Sequence, residues 1–118
     1  MPLVAILAAD TGFHEHLPRL FPHRPGLTDQ LAADPTGRAA QARFNAALQI
    51  GYLIVGIRAA GLAAGPMAGF DPVGLDAEFF PDGRLRSLLV INIGHPGPHA
   101  WVDRLPRLTH DEIGRAHV

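Results

Sequence analysis

The stretch from Asp34 to Asp71 constrains the fold more than any other part of the chain. Asp34 is a helix-capping residue type, and Pro35 suits a first helical turn, where a missing N–H costs nothing. Apolar residues then recur at Phe44, Leu48, Tyr52, Val55, Ala59 and Leu62, which is a helical period. A second row, Ala46, Ile50, Leu53 and Ile57, makes the other side apolar too. A helix that is apolar all round is expected to be buried on all sides, as a core element or as an interface. Gly51 and Gly56 lie inside it, each at about 1 kcal/mol relative to Ala in an exposed helix. Close approach of another backbone, a partner subunit or a planar ligand is the expected compensation. Beyond Gly61 and Leu62 the chain enters a tight segment, Gly65-Pro66-Met67-Ala68-Gly69-Phe70.

At 118 residues the chain allows one domain at most, a length at which about two-thirds of the surface is normally buried on folding. The net charge of −1 and a 47% hydrophobic content give no sign of disorder. Every Lys-or-Arg position is Arg, and these are scattered among acids, so the footprint of a nucleic-acid binder is missing. Cysteine is absent, which excludes disulfides, thiolate metal sites and cysteine nucleophiles and fits a cytoplasmic protein. Leu3 to Ala9 is apolar but too short for a membrane span, and no basic region precedes it. Ile50 to Ile57 is flanked by Gln49 and Arg58 and is not expected to cross a membrane either.

In chain order, Leu3 to Ala9 reads as a strand buried on both faces inside a sheet, closed by Asp10, Thr11 and Gly12. Such a strand needs neighbours on both sides, and the remaining chain offers only one other convincing strand, Leu88 to Gly94. Something upstream is therefore expected to be missing. Phe13 to Phe21 predicts a short helix broken at Pro18, and Leu27 to Ala33 another turn or two of helix. His14, His16 and His23 complete no ligand set, so no metal is assigned. Asp71 caps a helix that starts at Pro72 and ends near Phe80, Asp82-Gly83 turns the chain, and Thr109 opens a helix-like tail.

No nucleophile elbow, GxGxxG or P-loop is present. His95 and His99 flank a Gly-Pro loop where a solvated histidine is the ordinary occupant, and no catalytic residue is assigned. The Gly65–Phe70 segment offers a rigid backbone of little bulk that can press its polar groups against a flat ring; a plain helix-to-strand connection has the same composition. Arg104 and Arg107 can hold a phosphate through forked donors, or stand as solvated charge.

The run from Phe44-Asn45 through Leu62 and Gly65 to Asp71 resembles the central helix and flavin-facing loop of the nitroreductase family. Leu88 to Gly94, ending in Asn-Ile-Gly, resembles that family's following strand, and Arg104-Leu105-Pro106-Arg107-Leu108 its C-terminal phosphate-side motif. The branch containing malonic semialdehyde reductase of bacterial pyrimidine catabolism is the most similar, His16 to His23 included. The resemblance implies an α+β nitroreductase-like fold with a long buried central helix packed on a sheet. It implies an FMN-dependent enzyme with NAD(P)H as hydride donor, a small aldehyde or other electron acceptor as substrate, and an intertwined homodimer. Pro66, Met67, Ala68 and Gly69 would lie against the flavin ring, Arg104 would contact the FMN phosphate, and Arg107 is a second candidate for that task. Many nitroreductases carry an acidic residue where this chain has Ala68 and a basic one where it has Val102; small and neutral residues there suit the semialdehyde-reductase branch. The resemblance covers residues 1–118 as the C-terminal three-fifths or so of a single nitroreductase-like domain, without the Arg/Ser-rich phosphate-binding arm. The chain alone is therefore expected to bind FMN weakly or not at all. The rival expectation is a non-catalytic truncated form, or a small helix-mediated dimerisation module without flavin.

Overall fold

The computed structural model describes residues 3–114. Three antiparallel strands form one sheet in the order β1-β3-β2, with β1 at Leu3–Asp10, β2 at Ala63–Met67 and β3 at Leu85–Gly94. A short 3-10 turn (Phe13–His16) runs into α1 (Leu17–Leu20), followed by α2 (Leu27–Ala32). The long α3 (Pro35–Ala59) then packs across the sheet, α4 (Pro72–Phe79) packs on β3, and α5 (His110–Ile113) lies near the end.

Local chemistry sets each boundary. Asp34 Oδ1 accepts from Gly37 N at 3.0 Å, capping α3 ahead of Pro35. At the other end Gly61 has φ +82°, Gly61 N donates to Arg58 O at 3.0 Å and Leu62 N to Ile57 O at 3.2 Å, a Schellman stop. Asp71 caps α4, accepting from Val73 N at 3.1 Å, and Thr109 with Glu112 forms a capping box on α5. Pro18 does not break a helix: it stands in the first turn of α1, where its missing N–H is harmless.

Three expectations are corrected. Among the described residues Leu3–Ala9 is a strand paired with β3 alone, which places it at the edge of the sheet, and Leu3 and Val4 are exposed. The segment taken as a turn contains a third strand: Ala63 to Met67 pairs with β3, with Gly65 opposite Asn92 and Pro66 opposite Ile91. Pro66 is tolerated because β2 is an edge strand, whose outer side needs no donor. Finally, α3 is not buried all round within the described chain. Ala42 and Ile57 are buried, with Arg38, Ala46, Ile50 and Ile54 half-buried along the same stripe. The opposite stripe is open: Phe44 is 65% and Tyr52 82% exposed, with Leu48 and Val55 beside them. A Cβ at Gly51 or Gly56 would meet nothing within 4 Å, so the close approach expected there is not made by this chain.

The core is correspondingly thin. Among the described residues Ala9, Ala42, Ile57 and Ile91 are the buried apolar ones, and only Ile91 is a large side chain fully removed from water. The chain exposes 9102 Å², against roughly 6,200 Å² for a folded monomer of its mass. Its radius of gyration is 18.1 Å, where a compact domain of this length has about 13–14 Å.

Candidate functional site

Pro66 and Met67 end β2, and Ala68 and Gly69 continue from it toward Asp71 at the head of α4. All four are exposed. Among the described residues no hydrogen bond is donated by the backbone N–H of Ala68, Gly69 or Phe70. A Cβ at Gly69 would meet nothing within 4 Å. The sequence thus folds into a strand edge that runs out into a low-bulk backbone with unused donors. Such a surface suits a flat ring bearing hydrogen-bond acceptors along its edge, because a ring can reach the backbone without displacing a side chain.

Arg104 and Arg107 lie on the exposed, irregular stretch after β3. Arg104 makes no ion pair among the described residues, so its fork is available to an anion. Arg107 is partly committed: its Nη1 donates to Leu105 O at 2.9 Å, back onto its own backbone. Among the described residues no hydrogen bond joins either arginine to Pro66–Gly69. The two regions approach through Trp101: a cavity of about 290 Å³ is lined by Gly65 and Asn92 on one side and by His95, Pro96 and Trp101 on the other. Arg58, in the last turn of α3, lies 4.4 Å from the Trp101 ring centroid in a cation–π contact that ties this stretch to the helix.

Two anchors escaped the sequence reading. Asp76 is the one buried residue of α4, and its Oδ1 accepts from Ser87 N at 3.0 Å. The Ser87 hydroxyl beside it, though outside hydrogen-bond geometry, does most to hold the Asp76 carboxyl below its ordinary range, and the backbone N–H adds to this. The octet of α4 holds two acidic residues, Asp76 and Glu78, and nothing in the sequence singles out Asp76. Arg84 bridges Asp10 and Glu15 at 2.8 Å each, while Thr11 N and Oγ1 donate to Arg84 O. Arg38 adds a bond from α3, Nε to Thr11 O at 2.8 Å. Arg84 thereby holds Asp10 ionised below the usual carboxylate range. Among the described residues no cluster of His, Asp and Glu is arranged to hold a metal ion, and no helix is long and apolar enough to cross a membrane.

No protein-family model matches the chain. It is 56% identical over 111 residues to a proposed NADH dehydrogenase/NAD(P)H nitroreductase of Streptomyces coelicolor, covering 93% of this chain and 54% of that protein. A similarly named protein of Rhodopseudomonas palustris is 46% identical over 114 residues, covering 97% of this chain and 58% of that one. The chain thus spans little more than half the length of the curated relatives it matches. Among solved structures, a proposed nitroreductase of Bacillus subtilis superposes with a TM-score of 0.77 over 97% of this chain and 63% of the other, at 18% identity. The fold is therefore that of a nitroreductase, and the chain is similar over nearly its whole length to proteins named as NAD(P)H nitroreductases.

Proposed function

We propose that this chain works within an FMN-dependent NAD(P)H oxidoreductase of nitroreductase type, which reduces malonic semialdehyde to 3-hydroxypropionate. The observation that carries the reading is the exposed backbone from Pro66 to Gly69, with N–H groups at Ala68, Gly69 and Phe70 that donate no hydrogen bond among the described residues. Pro66, Met67, Ala68 and Gly69 lie along the flavin ring, and their backbone groups orient it. Arg104 binds the phosphate, with Arg107 released from Leu105 O as a second donor. Bound FMN supplies a hydride relay between nicotinamide and acceptor. The small Ala68 and the neutral Val102 support an aldehyde acceptor by their likeness to the semialdehyde-reductase branch.

The working unit in this reading is a cytoplasmic homodimer. The chain exposes roughly 2,900 Å² beyond the expectation for a monomer, on the scale of an obligate interface. The apolar stripe of Phe44, Leu48, Tyr52 and Val55 is the face such a partner covers. A second reading, a flavin-free dimerisation module, is favoured by that same stripe alone.

Titrating the purified chain with FMN while following the visible flavin band separates the two. A weak, saturable perturbation that Arg104→Ala diminishes is expected. A dimer whose addition leaves the flavin spectrum unchanged overturns the flavin reading in favour of the module.

A further inference from the structure

We infer that Asp76 is a positioning residue for the Pro66–Gly69 segment, because it closes a ring of contacts that fixes both ends of that segment on β3. The inference rests on the flavin-facing role proposed above. β3 carries an irregularity: Leu7 stands opposite Leu89 and Ala8 opposite Ser87, so Leu88 is an extra residue in the ladder. β2 pairs with β3 only from Val90 to Gly94, leaving the stretch around Ser87 without a strand on that side. Asp76 Oδ1 fills the gap by accepting from Ser87 N at 3.0 Å in buried surroundings.

The ring then runs as follows along the chain. From Ser87 it crosses to Asp76 in α4, returns along α4 to the cap at Asp71, passes Phe70, Gly69 and Ala68, and re-enters β2 at Met67 opposite Val90. Among the described residues Ala68, Gly69 and Phe70 donate no backbone hydrogen bond, so their placement is set by the two ends. β2 supplies one end. The other depends on where α4 sits, and Asp76 is the only buried side chain of that helix. An apolar residue would pack as well, but a carboxylate can accept the Ser87 N–H that β2 does not reach. The Asp76 carboxyl is also held below its ordinary range, by the Ser87 hydroxyl first, then against the cost of burial by the Ser87 N–H, with Arg86 adding to them.

The test compares Asp76→Ala with Asp76→Asn, which keeps an acceptor oxygen. Backbone amide chemical shifts of Ala68 to Phe70 should move in Asp76→Ala, and hydrogen exchange should quicken at Ser87, while α3 and the remaining β1 and β3 amides keep their protection. The FMN affinity should fall roughly tenfold or more, and Asp76→Asn should restore most of these changes. Uniform loss of protection, or unchanged shifts at Ala68 to Phe70 with unchanged FMN affinity, overturns the positioning role. If the parent chain leaves the flavin spectrum unperturbed, the flavin reading fails, and the shifts at Ala68 to Phe70 alone decide whether Asp76 sets the segment.

Discussion

Gly12→Ala tests whether the Arg84 cluster acts as one unit. Arg84 donates from Nε and Nη2 to the two oxygens of Asp10 at 2.8 and 3.2 Å, from Nη1 to Glu15 at 2.8 Å, and from Nη2 to Gly12 O at 3.2 Å. A Cβ on Gly12 would lie 2.7 Å from Arg84 Cζ and 2.9 Å from Nε. The backbone at Gly12, φ −96° and ψ 12°, is open to alanine, so the conflict is steric alone. A guanidinium ends a flexible chain and ordinarily gives way, but this one cannot move without leaving its acceptors. The side chains are 37% and 36% exposed, which places the bidentate pair with Asp10 at about 1 kcal/mol after solvent screening. The more exposed Glu15 adds a few tenths at most.

Arg84→Ala should therefore destabilise by about 1 kcal/mol. Gly12→Ala loses much of the same interaction but restricts the unfolded chain, a gain of roughly 0.5 kcal/mol, for a net loss of about 0.5 kcal/mol. In the Arg84→Ala background the steric conflict is gone, and Gly12→Ala should stabilise by roughly 0.5 kcal/mol. The coupling is thus about 1 kcal/mol. Urea midpoints of the four proteins, at one fixed protomer concentration, measure it. Additivity within about 0.3 kcal/mol refutes the reasoning, as does a coupling unchanged in about 1 M salt, where exposed charges are screened.

Other consequences are simpler. Asp10 and Asp76 both have lowered pKa values in the folded chain, so the stability they supply is present above the unfolded value near 4 and is lost as pH falls through the folded values. The urea midpoint should therefore drop below about pH 4, with a shallower drop in Arg84→Ala. Asp34→Ala removes the acceptor of Gly37 N and should cost α3 about 1 kcal/mol, read from the same midpoints. Leu48→Asp places a charge on the open stripe of α3 and should raise the dimer dissociation constant by tenfold or more, about 1.4 kcal/mol, in sedimentation experiments. A dimer of unchanged affinity would remove that stripe from the interface.

The parts legible in the sequence were those fixed by local chemistry. Asp34-Pro35, Asp71-Pro72 and Thr109 each mark a helix start in the sequence, and the structure bonds each cap, with Glu112 completing a capping box at Thr109 that the sequence reading does not name. Gly61 likewise marks the stop of α3. What local signals could not give was strand partnership. Gly65 and Pro66 read as turn residues because both are poor in strand interiors, yet an edge strand needs neither side-chain packing nor a donor on its outer side. The run Leu3–Ala9 shows the converse: apolar residues at every position say that both sides can meet apolar surface, not which chain supplies it.

The same ambiguity governs α3 and, through it, the candidate site. Two apolar stripes nearly opposite one another demand two covers, and periodicity carries no label for either. Ala42, Ala46, Ile50 and Ile57 find theirs in the sheet of the same chain. Phe44, Leu48, Tyr52 and Val55 do not. Leaving those four side chains in water is unfavourable by about 1.5–3 kcal/mol each relative to full burial, a sum comparable to the whole stability of an ordinary domain. A chain with a core as thin as Ala9, Ala42, Ile57 and Ile91 has little stability in reserve against that loss. The covering of the open stripe therefore belongs to the folding problem itself. Arg58 stands at the C-terminal end of that helix and holds Trp101, three residues before Arg104. Whatever fixes α3 from outside also steadies the stretch that carries the proposed phosphate ligand, so association and cofactor binding should rise and fall together in this chain.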